Sequence, residues 1–272
     1  MNIQLSLFTA LAFAALPFSA LAQFVDTFSM IDPAWVPNRF APAGFTSVFF
    51  NGDDRLQLTI DQTGSTGNRP FGFDSAFYNT QGMQRSADIA GLWSLSAQVY
   101  VSSAFNTTTG SLVASELWGH SGTTPAGGAY LILGFTNASP TDALNLAAAD
   151  RSFRFQAFDS NTGNWFDLGV PSGFIFDTWH TLTGTSTGSA FEYRIDGALV
   201  LSNPTSAGND LLSGMIQGIN FGDSASYSVY WDNAIASASA IPEPATNAFI
   251  AALGALGLAV WRRRRAASAA RV

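Results

Sequence analysis

Carboxylates and histidines are where this chain could do acid–base or hydrolytic chemistry, and few of them are spaced for it. Between Gln23 and Ala240 the only glutamates are Glu116 and Glu192, and neither stands in a run of acids at alternate positions. Cleavage of a glycosidic bond with retention uses two carboxyl groups about 5 Å apart, which neither glutamate offers by spacing. The aspartates sit mostly beside Gly, Asn or Ser, where turn formation accounts for them. His120 and His180 are the only histidines, and neither has an acidic neighbour at the spacing of a base or a metal ligand. The pattern puts His120 in a polar loop and His180 in a strand. Gly184-Thr185-Ser186-Thr187-Gly188 has the letters of a nucleophile elbow, but that motif needs a helix after it, and the next residues read as a strand. With no cysteine, disulfides and thiolate metal sites are excluded.

Aromatic residues offer a different chemistry, stacking on sugar rings. Trp118 and Trp165 fall next to Gly119 and Asn164 in expected loops, which makes them the candidate carbohydrate-binding residues. Trp35 lies in a Pro-rich segment, whereas Trp93, Trp179 and Trp231 fall in expected strands and are assigned to the core.

The elements that must position these residues are strands. From Phe24 to Ala240 short apolar stretches alternate with Gly, Ser, Thr, Asn and Asp clusters, and no window keeps a helical period over three turns. Strands are expected at 56–60, 93–101, 129–135, 153–158, 179–183, 191–195 and 228–235. Asp159 to Gly163 reads as a hairpin loop and Asp196-Gly197 as a two-residue turn. The expected fold is all-β, a two-sheet sandwich over residues 23–238.

Charge narrows the partners. All 12 basic residues are arginine, and five lie in the last eleven positions. From residue 23 to 240 seven arginines face sixteen aspartates and two glutamates, a net charge of −11 that repels nucleic acid and anionic lipid.

Both ends read as addresses. Leu5 to Leu16 is almost continuously apolar and Ala20-Leu21-Ala22 suits signal peptidase, so residues 1–22 are expected to be a signal peptide cut before Gln23. Residues 239–272 form the other end: Ile241-Pro242-Glu243-Pro244, an apolar stretch expected to be a helix at 248–261, and the basic cluster Arg262, Arg263, Arg264 and Arg265. This tail resembles the PEP-CTERM sorting signal. The resemblance implies an exosortase that cuts at the motif, a membrane held only transiently by the helix, and the arginines as cytoplasmic anchors.

Between the ends, several segments resemble the concanavalin-A-like lectin/glucanase superfamily with its laminin-G-like members. They are Asp26-Thr27-Phe28-Ser29, Asp54-Arg55-Leu56-Gln57-Leu58, Trp179-His180-Thr181-Leu182, Phe191 to Gly197, and Val229-Tyr230-Trp231-Asp232-Asn233. The resemblance implies a jelly roll and a structural Ca2+ held by Asp232 with oxygens near Asp26. The glucanases' Glu-x-Asp-x-Glu strand is missing. The expectation is therefore a non-catalytic, exported protein of the cell surface or exopolysaccharide matrix. A lectin-like carbohydrate-binding module and a cryptic glycosidase or polysaccharide lyase are the alternatives.

Overall fold

The strands pair into two antiparallel sheets stacked face to face, as period-2 patterning demands of a chain with this much apolar residue and no helical repeat. A computed structural model describes residues 22–61, 79–107, 110–122, 128–138, 151–159, 163–204, 210–222 and 225–239. Ser19–Ser239 form one compact unit. The expected signal peptide, apart from its last residue Ala22, the tail from Ala240 and the expected helix at 248–261 lie outside the described residues. Among the described residues no helix is long and apolar enough to cross a membrane.

The first sheet runs β13 (Ala198–Pro204), β12 (Ala190–Ile195), β11 (Thr178–Ser186), β6 (Trp93–Val101), β15 (Tyr227–Ala238), β4 (Asp53–Ile60), β3 (Gly44–Phe50), with β1 (Ala22–Asp26) also pairing β15. The second runs β10 (Asn164–Gly169), β9 (Arg154–Asp159), β8 (Ala129–Thr136), β7 (Ala114–Ser121), β14 (Leu211–Ile219), β5 (Thr80–Ile89), β2 (Val36–Pro37). All seven expected strands are present within a few residues of their bounds.

Alternation is clearest in β6, where Trp93, Leu95, Ala97, Val99 and Val101 are buried and Ser94, Ser96, Gln98 and Tyr100 face out. The core between the sheets holds Phe28, Trp93, Phe135, Phe155, Phe191, Tyr193 and Trp231, and the polar tips of Trp231 and Tyr193 find partners across the sandwich. Trp231 Nε1 donates to Ser115 Oγ at 3.0 Å, and the Tyr193 hydroxyl donates to the Phe158 carbonyl at 3.0 Å. Both bonds tie one sheet to the other, so each ring is fixed in register as well as buried.

The Asp196-Gly197 turn is as expected, with φ of 50° and 78°, the doubly left-handed turn whose twist matches a hairpin's. Trp93 and Trp231 are core residues, but Trp179 is half-buried on the outer face of the first sheet. In β11 it is His180 that points inward.

Candidate functional site

Sandwich strands need only one buried face, yet β7 is buried at all eight positions and β14 at seven of nine. Their inward residues, such as Leu117 and Ile216, join the core. On the outward side Trp118 of β7 and Met215 of β14 join Ile132 of β8 and Phe158 of β9 in a second, separate cluster, with Tyr130 and Trp165 packed at its edge. Two corrections to the sequence reading follow. Trp118 and His120 stand on strand β7 and Trp165 on β10, rather than in loops. A strand covered on both faces has no polar alternation, so Ala-Ser-Glu-Leu-Trp-Gly-His-Ser does not read as one.

Residues directly opposite across antiparallel strands point to the same face, so the register assembles the site in rows. Glu116 lies opposite Gln217 of β14 and Gly134 of β8, and Gly134 lies opposite Gln156 of β9. Trp118 lies opposite Met215 and Ile132, and the row continues through Phe158 to Trp165. The third row brings together Ser213, His120 and Tyr130. Trp118 and Trp165, 47 positions apart in sequence, thus share one row of one face.

The polar row is closely bonded. Trp118 Nε1 donates to Glu116 Oε2 and Gln156 Nε2 to Glu116 Oε1, both at 2.8 Å. Gln217 Nε2 donates to Asn38 Oδ1 at 2.9 Å, and Asn38 Nδ2 to Gln84 Oε1 at 2.6 Å. Gly134 makes room for the carboxylate, since a Cβ there would come within 2.6 Å of Glu116 Cγ and 2.3 Å of the Ser115 carbonyl. The Arg39 guanidinium lies 5.0 Å from the Trp118 ring centre, and Tyr130 stacks on His120 at 4.8 Å. Among the described residues, three buried polar atoms in these rows have no hydrogen-bond partner: His120 Nε2, Gln156 Oε1 and Gln217 Oε1. Buried orphans of this kind are uncommon and mark a place where a ligand's hydroxyls could bond.

Chemically, the face holds one carboxylate at its centre. Asp167 shares the Glu116 row but lies three strands away, about 14 Å at normal strand spacing. Glu192 is on the first sheet, bonded to Arg194 Nη2 at 2.8 Å. Neither Asp167 nor Glu192 is therefore placed to act as a second carboxyl beside Glu116 at the separations used in glycoside hydrolysis.

His120 is held below the ordinary histidine range, first by burial and second by the Arg39 charge. The folded state therefore resists binding a proton that the unfolded chain takes up near pH 6.5. Stability from this site is complete above about pH 6.5 and falls as the pH drops below it towards the folded pKa. The melting temperature of the protein should decline from pH 7 to pH 5, and His120→Gln should remove part of that decline. A slope unchanged in the variant would show that His120 titrates normally.

The other expected site residues lie away from this face, with Asp26 and Asp232 brought near each other by the pairing of β1 with β15. His180 does meet an acid, contrary to its sequence spacing: Nδ1 is 2.7 Å from Asp196 Oδ2, brought over by the β11–β12 hairpin. Nε2 lies 2.8 Å from the Ile175 carbonyl, so both ring nitrogens are engaged in structure. Ser186 is buried in β11, and strand β12 follows it. Asp232 and Asp26, expected from the resemblance to hold Ca2+, are supplied with protein donors. Arg55 Nη1 is 2.6 Å from Asp232 Oδ2, and Asn233 donates to both Asp232 oxygens. Asp26 accepts from Trp35 Nε1 at 2.7 Å and the Phe28 amide at 2.8 Å, with Arg85 at 3.3 Å. Burial raises the Asp232 pKa, against the lowering by the Asn233 amide and Arg55. The residues do not fit a calcium site as they stand, because the guanidinium occupies the place a cation would need. No cluster of three or more His, Asp or Glu exists among the described residues.

Comparison with known proteins bears on both parts of the chain. Residues 240–265 match the PEP-CTERM protein-sorting motif, which marks an exported, surface-directed chain with an exosortase as its processing partner. No curated protein matches the chain significantly. An endo-acting O-glycanase of the human gut microbiota, concerned with mucin breakdown, is similar in structure at 12% identity and a TM-score of 0.51. The match covers 82% of this chain and all of that one. A Bacillus licheniformis β-glucanase (12% identity, 80% and 98% coverage, TM-score 0.45) and a Bacteroides ovatus glycoside hydrolase family 16 endo-glucanase (11%, 78% and 99%, 0.48) are similar more distantly. The body thus has a two-sheet jelly-roll fold, like that of the O-glycanase. The expectation of a non-catalytic protein is corrected here: the fold is an enzyme-like one, shared with a glycan-cleaving enzyme. At this identity the likeness establishes the fold alone.

Proposed function

We propose that the protein is a surface or matrix component of the cell that exports it, and that it holds a polysaccharide chain on the outer face of the second sheet. The supporting observation is that this face gathers Trp118, Tyr130 and Trp165 beside a row of hydrogen-bonding side chains, Gln217, Glu116 and Gln156. Sugar rings present apolar faces and hydroxyl edges, and this pairing of aromatic and amide rows answers both. Trp165 and Tyr130 are the half-buried, reachable rings, whereas Trp118 is buried and forms the floor with Glu116.

Native gel electrophoresis of the mature protein through polysaccharide extracted from the same cells tests the proposal. The wild type should be retarded, and Trp165→Ala should weaken binding about tenfold, equivalent to about 1.4 kcal/mol. Absence of retardation, or full retardation of the variant, would remove the proposal. The same preparation reports hydrolysis: release of reducing ends that Glu116→Gln abolishes would make the face an active site.

A further inference from the structure

On the outer face of the first sheet the exposed sides of the strands are mostly Ser, Thr and Gln: Ser94, Ser96 and Gln98 on β6, Thr181, Thr183 and Thr185 on β11. Four large rings interrupt this at one end. Trp179, Tyr100 and Tyr230 lie directly opposite one another on β11, β6 and β15, and Gln57 of β4 extends the row. Phe50, at the end of β3, stacks flat on Tyr230 with centroids 3.7 Å apart and planes 6° apart, and meets Tyr100 edge-on at 5.0 Å. Trp179 packs against Tyr100 at 5.6 Å and carries the Arg55 guanidinium 5.3 Å from its ring centre. All four rings are half-buried, with the neighbouring Phe49 76% exposed. Rings of this size on the solvent side of a sheet contribute nothing to the core between the sheets.

Beside them is a pocket of about 300 Å³ lined by Phe50, Tyr100, Ser102, Phe105, Ser228 and Tyr230. This is the low end of the range for small-ligand sites. Its wall is aromatic and its rim is hydroxyl. Gln57 Nε2 reaches the Tyr230 hydroxyl at 3.4 Å, and Ser228 bonds Thr59 at 2.8 Å. Burial, with Asp177 nearby, raises the Tyr100 pKa, so its phenol stays a neutral donor. From Trp179 to Tyr230 the row spans about 10 Å at normal strand spacing, room for two pyranose rings side by side.

We infer that this aromatic platform is a second carbohydrate-binding face, taking an uncharged polysaccharide chain across Trp179, Tyr100 and Tyr230 with one sugar seated against Phe50. The net charge of −11 across the body repels acidic polysaccharides and anionic membranes and leaves a neutral chain as the matching occupant. The platform and the outer face of the second sheet lie on opposite sides of the sandwich, so a protein using both would cross-link two chains and gain avidity without new contacts. The inference rests on residues separate from the proposed site, and the two can fail independently.

The test is affinity electrophoresis of the mature protein through three neutral probes: hydroxyethylcellulose, laminarin and galactomannan. Wild type should be retarded by at least one, and Trp179→Thr should weaken that retardation about tenfold, the ratio that about 1.4 kcal/mol of lost stacking produces. Thr matches the other outward residues of β11, and Ser228→Tyr, which fills the pocket without touching the core, provides a second variant should Trp179→Thr lose its fold. Thr183→Ser, on the same outward side of β11 but away from the rings, should leave that retardation unchanged. Retardation by none of the probes, or retardation that survives both platform variants, would overturn the inference. So would loss only in Trp165→Ala, which assigns all binding to the other face. A wild type that sediments as a dimer and becomes monomeric in Trp179→Thr would assign the platform to a second copy of the chain and overturn it equally.

Discussion

Replacing Pro242, Glu243 and Pro244 by three alanines should leave the precursor uncut and held in the membrane of its own cells. The motif match spans the Pro-Glu-Pro sequence, the apolar stretch and the arginines together. The stretch from Phe249 to Trp261 would be about 20 Å long as a helix, against a hydrocarbon core of about 30 Å. Such a segment spans only with its flanks included, which suits a temporary hold better than a lasting one. With the segment in the membrane, the four arginines at 262–265 would keep its end on the cytoplasmic side. Intact mass and membrane fractionation read the result. Wild type should yield a released species ending near Glu243, and the triple-alanine form should keep residues 244–272 and stay in the membrane fraction. A wild type that also keeps its tail would make the segment a permanent anchor.

Trp231→Ala should cost about 3–5 kcal/mol, as large-to-small changes of fully buried aromatics do. Trp231 has no exposed surface, sits on β15 between β4 and β6, and bonds Ser115 on the opposite sheet. The substitution leaves a cavity in the middle of the sandwich and removes the donor to the Ser115 hydroxyl, which keeps its own bond to the Gln217 carbonyl. Against a total stability of about 5–15 kcal/mol for a domain, the loss is large enough to show as a clear drop in the urea midpoint. Trp179→Ala is the internal comparison. That ring lies outside the core, so the same chemical change there should cost well under half as much. A larger loss in Trp179→Ala than in Trp231→Ala would mean that the inward and outward faces of the first sheet have been exchanged, as a one-residue slip in register would do.

Much of this molecule was legible without its structure, and the misses share a cause. Strands with one wet face, such as β6 and β12, announce themselves by alternation, and Asp196-Gly197 announces the turn after β12 through its backbone preferences. β7 was missed because both its faces are covered, and with it went the location of Glu116, Trp118 and His120. Trp179 was assigned to the core for the converse reason, since a tryptophan in a strand is buried more often than not. Its phase relative to His180 decides which of the two points inward, and only packing reveals that phase.

The address was determined by the sequence alone, because a sorting tail is read as contiguous chain: Pro-Glu-Pro, an apolar run and a basic cluster in order. The all-β class was determined the same way, by local alternation. Which residues form a site was decided only by the tertiary structure. Glu116, Gln156 and Gln217 are 40 and 101 positions apart in sequence and become neighbours because β14, β7, β8 and β9 lie side by side in one sheet. Pairing order is a long-range property, set by which apolar faces can be buried together, and no spacing within a single strand encodes it.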